Sequence, residues 1–443
     1  MFFVKDKNVI LFNIHLIVFS IFNFISSNKI IFPFKIEQSN GPSSNYIDKF
    51  IQNKLYINIE IGSPPKSINL YLSMDTYYLI IANSSIDSSY YNNKQSNTYS
   101  NTSKLNTFFL ELFSNGYYAK ESFWFRTSLE KDEKNIFKNI EFIHVMSYSS
   151  ITYISPGYFG LQIPKANKPN IYNYLKKEKI ISKEYWNLKY TSDNEGYFLL
   201  GEFPSEYNDE NSLRKTNALP CEEDNPNLCW KLKFNDIKFG DINVNRDRIA
   251  KIFPEFEFII GTGEYEQKIS ENFFKLNNKC QKKLSETNYY YYECENDIDI
   301  SNFKNLEFSH SEFMFNFIMT KEDLFKLYNN KIYFLIIFNM YSSYGNYWKL
   351  GKPFIKKYNF GYNIENKKIY FFYKEEKKEK NEKQRDSNIY YYIIIGFLLL
   401  GVFVMAFFVI INKFWKPKRK KANELQEEIN ISYENMNQNN LGI

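Results

Sequence analysis

A single carboxylate interrupts the otherwise apolar and uncharged stretch LYLSMDTYYLIIANSS, residues 70–85. Asp75 is followed by Thr76 and then by two bulky residues, Tyr77 and Tyr78. An ionised carboxylate is costly to bury, so an unpaired aspartate is uncommon in a strand with apolar neighbours on both sides. Asp75 is therefore a candidate for acid–base chemistry, and that chemistry raises the question of a partner.

Hydrolysis by carboxyl groups needs two of them. Two carboxyl groups a few ångströms apart cannot both ionise, so they share one proton; one then activates water while the other protonates a carbonyl. Glycine beside each acid leaves room for water and substrate, and threonine or serine hydroxyls hold the carboxylates in place. The sequence should therefore carry a second acid in a similar setting.

Other chemistries find little support in the composition. The chain has only three histidines, His15, His144 and His310, and the first lies in a segment that we expect to be removed. The cysteine spacing fits no zinc site, so neither a metal nor a cofactor is expected. The 56 basic and 50 acidic residues are interleaved, and a net charge of +6 does not indicate a nucleic-acid partner.

The elements that must position Asp75 are predicted to be strands. From residue 54 the chain shows short alternating segments divided by turn residues, as in LYINIEIGSPP, and Asn115-Gly116 predicts a hairpin turn. Helical patterns are few, at residues 170–178, 270–279 and 321–328. We therefore predict an all-β fold with a few short helices, and about 320 residues favour two lobes over one.

Four blocks of the sequence resemble the pepsin-like aspartic endopeptidases. LYINIEIGSPPKSINLYLSMDT resembles the opening of the family's first lobe, with its Y-x-x-x-I-x-I-G-x-P-P and D-T-G-S motifs. SPGYFGLQIP, EGYFLLGEFPSEY and YWKLGKPFIKKYNFGYNIENKKIYFF resemble three later blocks, in the family's order. The resemblance covers roughly residues 54–373 and implies a bilobal fold with a substrate cleft between the lobes.

The departures from the family pattern concern the catalytic motifs. Tyr77 and Tyr78 stand where the first motif has Gly-Ser. The best match to the second motif is FIIGTGEY, in which Gly261 takes the place of the second aspartate. Thr262 and Gly263 match that motif, while Glu264 replaces the hydroxyl residue after them.

Two further positions depart from the family. The flap tyrosine corresponds to Phe113, and Lys352 replaces the aspartate of the family's L-G-D block. Asp75 is then either a retained catalytic acid or a relic that accepts hydrogen bonds at a turn. Glu264, with its longer side chain, is the alternative second acid.

Two apolar segments predict a single-pass type I membrane protein of the secretory pathway or cell surface. Residues 1–27 read as a signal peptide, with a signal anchor as the alternative, and residues 389–411 form an uncharged span followed by a basic cluster. The predicted order is a signal peptide (1–27), a leader or pro-like segment (28–53), an N-terminal β lobe (54–217), a C-terminal β lobe (218–373), a charged stalk (374–388), the transmembrane helix (389–411) and a cytoplasmic tail (412–443).

A luminal or extracellular location permits disulfides and glycans. Four cysteines allow three connectivities, and short loops favour Cys221–Cys229 with Cys280–Cys294. Asn83 and Asn101 begin glycosylation sequons.

Three functions remain open at this point. The first is a catalytically inactive homologue whose cleft binds a peptide or protein. The second is an active endopeptidase with Asp75 and a non-standard second acid. The third is a receptor or adhesive ectodomain whose cleft is filled by Tyr77, Tyr78 and their neighbours. The oligomeric state is left open.

Overall fold

The computed structural model describes residues 29–37, 46–51, 54–105, 113–127, 134–148, 155–165, 170–203, 213–222, 227–244, 248–340, 347–372, 423, 425–430 and 432. The predicted signal peptide, stalk and membrane span lie outside these residues. The chain divides into two units, Met1–Tyr373 and Lys374–Ile443. In the second unit, residues 425–430 are helical. Among the described residues, no helix is both long and apolar enough to cross a bilayer.

The first unit is built mainly from short strands. In its first half they are β1 (Ile30–Glu37), β2 (Lys54–Ile61), β3 (Lys66–Ser73), β4 (Leu79–Ala82), β5 (Ser100–Leu105), β6 (Phe113–Arg126), β7 (Lys134–Tyr148), β8 (Gly157–Gly160), β9 (Tyr185–Tyr190), β10 (Glu195–Leu200) and β11 (Arg214–Asn217).

The strands of its second half are also short. They are β12 (Leu219–Pro220), β13 (Leu228–Cys229), β14 (Lys231–Lys233), β15 (Asp236–Phe239), β16 (Ile242–Asn243), β17 (Ile249–Ile252), β18 (Ile259–Gly261), β19 (Cys280–Leu284), β20 (Tyr289–Glu295), β21 (Leu306–His310), β22 (Phe315–Met319), β23 (Phe325–Tyr328), β24 (Lys331–Phe334), β25 (Ile336–Asn339), β26 (Trp348–Leu350), β27 (Asn359–Asn363) and β28 (Lys368–Phe372).

Helices are short, as the sequence predicts, but two differ from the expected positions. They are α1 (Tyr46–Ile51), α2 (Ile171–Lys177), α3 (Gly263–Asn272), α4 (Lys321–Leu324) and α5 (Lys352–Lys357), with 3-10 turns at Asn93–Gln95 and Phe274–Leu276. The helix α3 begins earlier than residue 270 because Thr262 caps it. The predicted helix at 321–328 stops at Leu324, and β23 takes over as β24 pairs with it.

Thirteen strands form one large sheet in the order β11-β28-β27-β9-β10-β1-β2-β3-β8-β4-β7-β6-β5. Alternation places its core: Leu55, Ile57, Ile59 and Ile61 of β2 are buried, while Asn58 between them is exposed. The mostly β prediction is confirmed. The turn predicted at Asn115-Gly116 is wrong, because both residues lie inside β6 and pair with β7.

The segment predicted as a leader contributes to this sheet. Strand β1 lies between β10 and β2, and Phe34 pairs with both Gly196 and Ile57. Helix α1 lies elsewhere, where Tyr46 packs edge-on against Phe258 with ring centroids 5.8 Å apart. The described parts of this segment, residues 30–37 and 46–51, are therefore packed as part of the domain.

The second half of the unit forms three smaller sheets, and the smallest pairs β12 with β13. Nine strands assemble as β14-β17-β26-β18-β25-β20-β24-β23, with β19 paired to β20, and four as β16-β15-β21-β22. The last strands, β27 and β28, return to the large sheet, where they lie between β9 and β11. The division into lobes at residues 217 and 218 remains a prediction, since the large sheet takes strands from both sides of it.

Candidate functional site

Asp75 lies in a five-residue loop, residues 74–78, which we call the first acid loop. The preceding strand β3 pairs in parallel with β8, so that Leu72 lies opposite Phe159. The following strand β4 pairs with β8 in the antiparallel sense, and Leu79 again lies opposite Phe159. The loop therefore leaves one side of β8 and returns to its other side, which fixes Asp75 at the end of that strand.

The second half of the unit repeats this arrangement. Strand β17 pairs in parallel with β26, with Ile252 opposite Leu350, and β18 pairs with β26 in the antiparallel sense, with Ile260 opposite Lys349. The connecting residues 254–258 form the second acid loop. Asp75 is the third residue after Leu72, and Glu255 is the third residue after Ile252. The repeated register therefore gives Glu255 the place of Asp75.

Two glycines support this equivalence independently of the strand register. A Cβ built on Gly160, at the end of β8, would lie 2.6 Å from the carbonyl oxygen of Thr76. A Cβ on Gly351, directly after β26, would lie 2.6 Å from the carbonyl oxygen of Phe256. Each acid loop thus crosses closely over a glycine, at the residue that follows its acid.

The register does not place Gly261 opposite Asp75, as the sequence motif suggested. Gly261 is the last residue of β18 and pairs with Phe338 in β25. Thr262 caps α3, Gly263 is the first residue of that helix, and Glu264 lies in its first turn. The motif comparison was therefore displaced by six residues. The sequence did contain a pattern that could have identified Glu255, because this residue follows one apolar strand and precedes another, as Asp75 does.

Asp75 is exposed and faces a lysine. Its side chain is 61% exposed, and its Oδ1 lies 3.8 Å from Nζ of Lys251, whose own side chain is only 14% exposed. The Asp75 amide donates to Oγ of Ser73 at 3.2 Å. This carboxylate is therefore ion-paired across the two halves of the unit and is open to solvent.

Glu255 has the opposite setting. Its Oε1 accepts a hydrogen bond from the Met74 amide at 2.9 Å, and its Oε2 is buried without a hydrogen-bond partner among the described residues. Burial, with a smaller contribution from the charge of Asp75, raises the pKa of Glu255 to about 8. At neutral pH Glu255 therefore keeps its proton. In the part of the chain that the structure describes, no hydrogen bond joins the two carboxyl groups.

The tyrosines of the first acid loop pack into the protein. Tyr77 and Tyr78 are 5% and 4% exposed and pack with Ile80, Ile143 and Val145. Their hydroxyl groups form a hydrogen bond of 3.1 Å, and the Tyr78 amide donates to Oγ1 of Thr76 at 3.1 Å. The two large side chains that stand in place of Gly-Ser thus pack in the core. This packing argues against a cleft filled by these rings.

The second acid loop contains a buried ion pair. Glu257 occupies the place of Tyr77, and its Oε2 lies 2.9 Å from Nζ of Lys352; the two side chains are 6% and 8% exposed. Burial raises the pKa of Glu257 and lowers that of Lys352, and the opposite charge of each partner counteracts the shift. Lys352 is the residue that departs from the family's L-G-D block. Two departures from the family pattern therefore compensate each other.

The structure also describes Phe113, the four cysteines and the possible metal ligands. Phe113 begins β6, and its backbone pairs with Tyr148; residues 106–112 lie outside the described chain. Both predicted disulfides, Cys221–Cys229 and Cys280–Cys294, are confirmed. The described residues contain no group of three or more His, Cys, Asp or Glu side chains placed to hold a metal ion.

The two sequons differ in accessibility. Asn83 is 5% exposed, and its Nδ2, the atom a glycan would modify, donates to Oδ1 of Asn93 at 2.9 Å and contacts Nε2 of His144 at 3.0 Å. The folded chain therefore does not offer Asn83 for glycosylation. Asn101 is exposed on β5 and remains a predicted site.

Comparison with known proteins agrees with the β architecture. The sequence profile named "Eukaryotic aspartyl protease" matches residues 54–372, most of the chain. No curated protein gives a significant match. The match takes in both acid loops and every strand from β2 to β28. The chain is a member of the eukaryotic aspartyl protease family.

Proposed function

We propose that this chain is a non-hydrolytic member of its family, which binds a peptide segment across the two acid loops. The observation that carries the proposal is the state of the acids. Asp75 is paired with Lys251, and Glu255 is hydrogen-bonded to the Met74 amide. Neither arrangement is the shared proton on which hydrolysis by a carboxyl pair depends.

The groups that would align two carboxyls are also replaced. Phe256, in the place of Thr76, has no hydroxyl, and Glu257 stands where a small residue would leave room. Loss of one member of a catalytic unit removes several orders of magnitude of rate, even when binding is kept. A misplacement of about 1 Å costs about a hundredfold. The expected outcome is a binding surface with negligible turnover.

The test separates turnover from binding. The full-length chain and its Asp75→Asn variant are incubated with a fluorogenic peptide library from pH 3 to pH 8. We expect the two to show the same background rate. The same library, carrying a photo-crosslinker, should label residues of the two acid loops or their strands in both proteins. Cleavage that Asp75→Asn abolishes contradicts the proposal, and so does labelling confined to other surfaces.

A second function is favoured by one observation, the carboxyl group of Glu255 in the place equivalent to Asp75. In this alternative, Asp75 takes a proton from water as the water oxygen bonds to the peptide carbonyl carbon, and Glu255 gives its proton to the carbonyl oxygen. Collapse of this intermediate breaks the C–N bond. The amine then receives the proton held by Asp75, and a hydroxyl of the intermediate returns one to Glu255.

This alternative makes its own prediction about pH. Glu255 must be protonated to act as the acid, and its pKa is about 8. Activity would therefore persist at neutral pH and fall as the pH rises through about 8. Glu255→Gln should then abolish cleavage, while Glu264→Gln, on α3, should leave it unchanged. Equal rates in all three proteins contradict the hydrolytic alternative.

We further propose that the domain is anchored by residues 389–411, with the β domain in the lumen or outside the cell. The uncharged composition of that segment and the basic cluster after it support the proposal. Carbonate extraction should leave the full chain in the membrane pellet, and a chain ending at residue 388 should be released. Release of both chains contradicts the anchor.

A further inference from the structure

Three lysines lie side by side on neighbouring strands close to Asp75. Lys231 of β14 lies opposite Lys251 of β17, and Lys251 lies opposite Lys349 of β26. Paired residues project from the same face of a sheet, and like charges placed directly opposite each other are destabilising. We call Lys231, Lys251 and Lys349 the lysine row. Its placement is unfavourable unless negative charge lies against it.

The lysine row is partly withdrawn from solvent. Lys231 is 7% exposed, and burial, followed by the charge of Lys251, lowers its pKa. The same causes, in the same order, lower the pKa of Lys349. Nζ of Lys251 and Nζ of Lys349 lie over the ring of Phe253, at 4.5 and 5.0 Å from its centre. Water therefore screens these charges less than it screens ordinary surface lysines.

The negative charges near the lysine row do not balance it. Asp75 faces Lys251, and Glu222 acts on Lys231, whose Nζ donates to the Cys221 carbonyl oxygen. Glu255 holds its proton at neutral pH. Lys349 forms no ion pair with any described residue, and among the charged groups near it Asp75 also acts on Lys251.

A cavity adjoins the row. Lys231, Lys251 and Tyr347 line a space of about 300 Å³, together with Gln162, Lys165 and Glu222. That volume is at the lower end for small-molecule sites and accommodates a side chain or a chain end. Lys165 adds a further cation to this wall. The space therefore combines room for a side chain or a chain end with an excess of positive charge.

We propose that the lysine row binds a carboxylate of the ligand, supplied by an acidic side chain or by the C-terminus of a peptide. This inference deepens the proposed peptide-binding function and rests on it for the identity of the ligand. The ammonium groups donate charge-assisted hydrogen bonds to the carboxylate, which are stronger than bonds between neutral groups. Asp75 then sets the edge of the site by repelling a second acidic residue.

The experiment uses two kinds of probe on the full-length chain. The first is glutarate, a small dicarboxylate, with chloride at the same ionic strength as its control. Ligand binding to the folded state raises Tm, and we expect about 2 °C at a tenfold excess over Kd. The second is a set of three acetylated heptapeptides: one with a central Glu and an amidated end, its Gln counterpart, and that Gln peptide with a free C-terminus.

We expect the Glu or the free-acid peptide to bind about tenfold more tightly than the amidated Gln peptide, the value for one charge-assisted hydrogen bond. If the Glu peptide binds more tightly, the carboxylate comes from a side chain; if the free-acid peptide does, it comes from the C-terminus. Lys231→Gln and Lys251→Gln, at the two members of the row that line the cavity, should each remove most of that preference and the effect of glutarate. Lys233→Gln, exposed on the same strand as Lys231 and away from the cavity lining, should change neither.

The two proposals fail in different ways. Equal binding of all three peptides with no glutarate effect overturns the carboxylate site and leaves peptide binding intact. A glutarate effect that Lys251→Gln removes, with no peptide bound, supports the carboxylate site and overturns peptide binding. A glutarate effect that survives both row variants overturns the carboxylate site, because the anion then binds elsewhere.

Discussion

The two acid loops share one backbone path and differ in almost every side chain. Both leave one side of a central strand, cross over a glycine and return to the other side. In the first loop the acid is exposed and the bulky residues after it are buried apolar rings. In the second loop the acid is mostly withdrawn from water, and the residue in the place of Tyr77 is the charged Glu257.

The difference shows that the frame and the chemistry of this site depend on different atoms. The close crossing over Gly160 and Gly351 requires only that no side chain lies beneath the loop. It therefore occurs in both loops although their side chains differ. The acids, in contrast, depend on side chains that fix their ionisation, and those side chains differ between the loops. Paired acids at matching positions therefore do not make a symmetric catalytic pair.

The largest expected effect concerns the ion pair of the second acid loop. Lys352→Met leaves Glu257 buried and unpaired, and we expect a loss of about 3–5 kcal/mol in the free energy of unfolding. The double variant Glu257→Met with Lys352→Met removes both charges and should lie within about 1 kcal/mol of the wild type or above it. Urea denaturation measures both. A mild Lys352→Met effect would show that the pair is not closed to water.

The stability of the first acid loop should depend on its aromatic rings and not on an ion pair. Tyr77→Ala removes a buried ring and should cost about 3 kcal/mol, as for other buried aromatic residues. Tyr77→Phe removes only the hydrogen bond to Tyr78 and should cost about 1 kcal/mol. Chemical denaturation of the two variants separates ring from hydroxyl. If Tyr77→Ala costs no more than Tyr77→Phe, the ring does not stabilise the core.

The shared frame can be tested at its glycines. A methyl group on Gly351 would lie 2.0 Å from the Phe258 carbonyl oxygen, and one on Gly160 would lie 2.6 Å from that of Thr76. We expect Gly160→Ala and Gly351→Ala each to lower the free energy of unfolding by about 1–3 kcal/mol. Gly263→Ala is the matched control, because nothing lies within 4 Å of its added methyl group. Equal effects at all three positions would contradict the close crossing.

A pH dependence is expected from the second loop, and its effect is the smallest when counted per pH unit. Glu255 has a pKa of about 8 in the folded chain against an ordinary 4.5, so the folded state keeps a proton that the unfolded chain has lost. Its contribution to stability is full below about pH 4.5 and is lost as the pH rises through about 8.

The difference in stability between the wild type and Glu255→Gln should therefore fall with pH across this window, by at most about 1.4 kcal/mol per pH unit. Using the difference removes the opposite trend from His144 and His310, whose pKa values burial lowers to about 4. Urea denaturation at pH 5, 6, 7 and 8 gives this difference. A constant difference would mean that Glu255 is solvated in the folded chain.

Much of the fold was predictable from local patterns. Alternation in β2 and β3 identified the strands around Asp75, and short spacing identified both disulfides. The Asn115-Gly116 turn failed because its neighbours pair with β7 along the whole length of β6, and long-range pairing overrides a local turn signal. The helix predicted at 321–328 was shortened for the same reason, by the pairing of β23 with β24.

The sequence by itself determined the β class, the position of Asp75 and the likeness of four blocks to one family, because each depends on residues close together in the chain. The identity of the acid near Asp75 became clear only from the folded chain. Strand register sets that choice, through pairs such as Leu72 with Phe159 and Ile252 with Leu350, which lie far apart in the chain. A shift of six residues in a motif leaves local patterns almost unchanged, but it replaces a glycine in a strand by a protonated glutamic acid beside the first carboxylate.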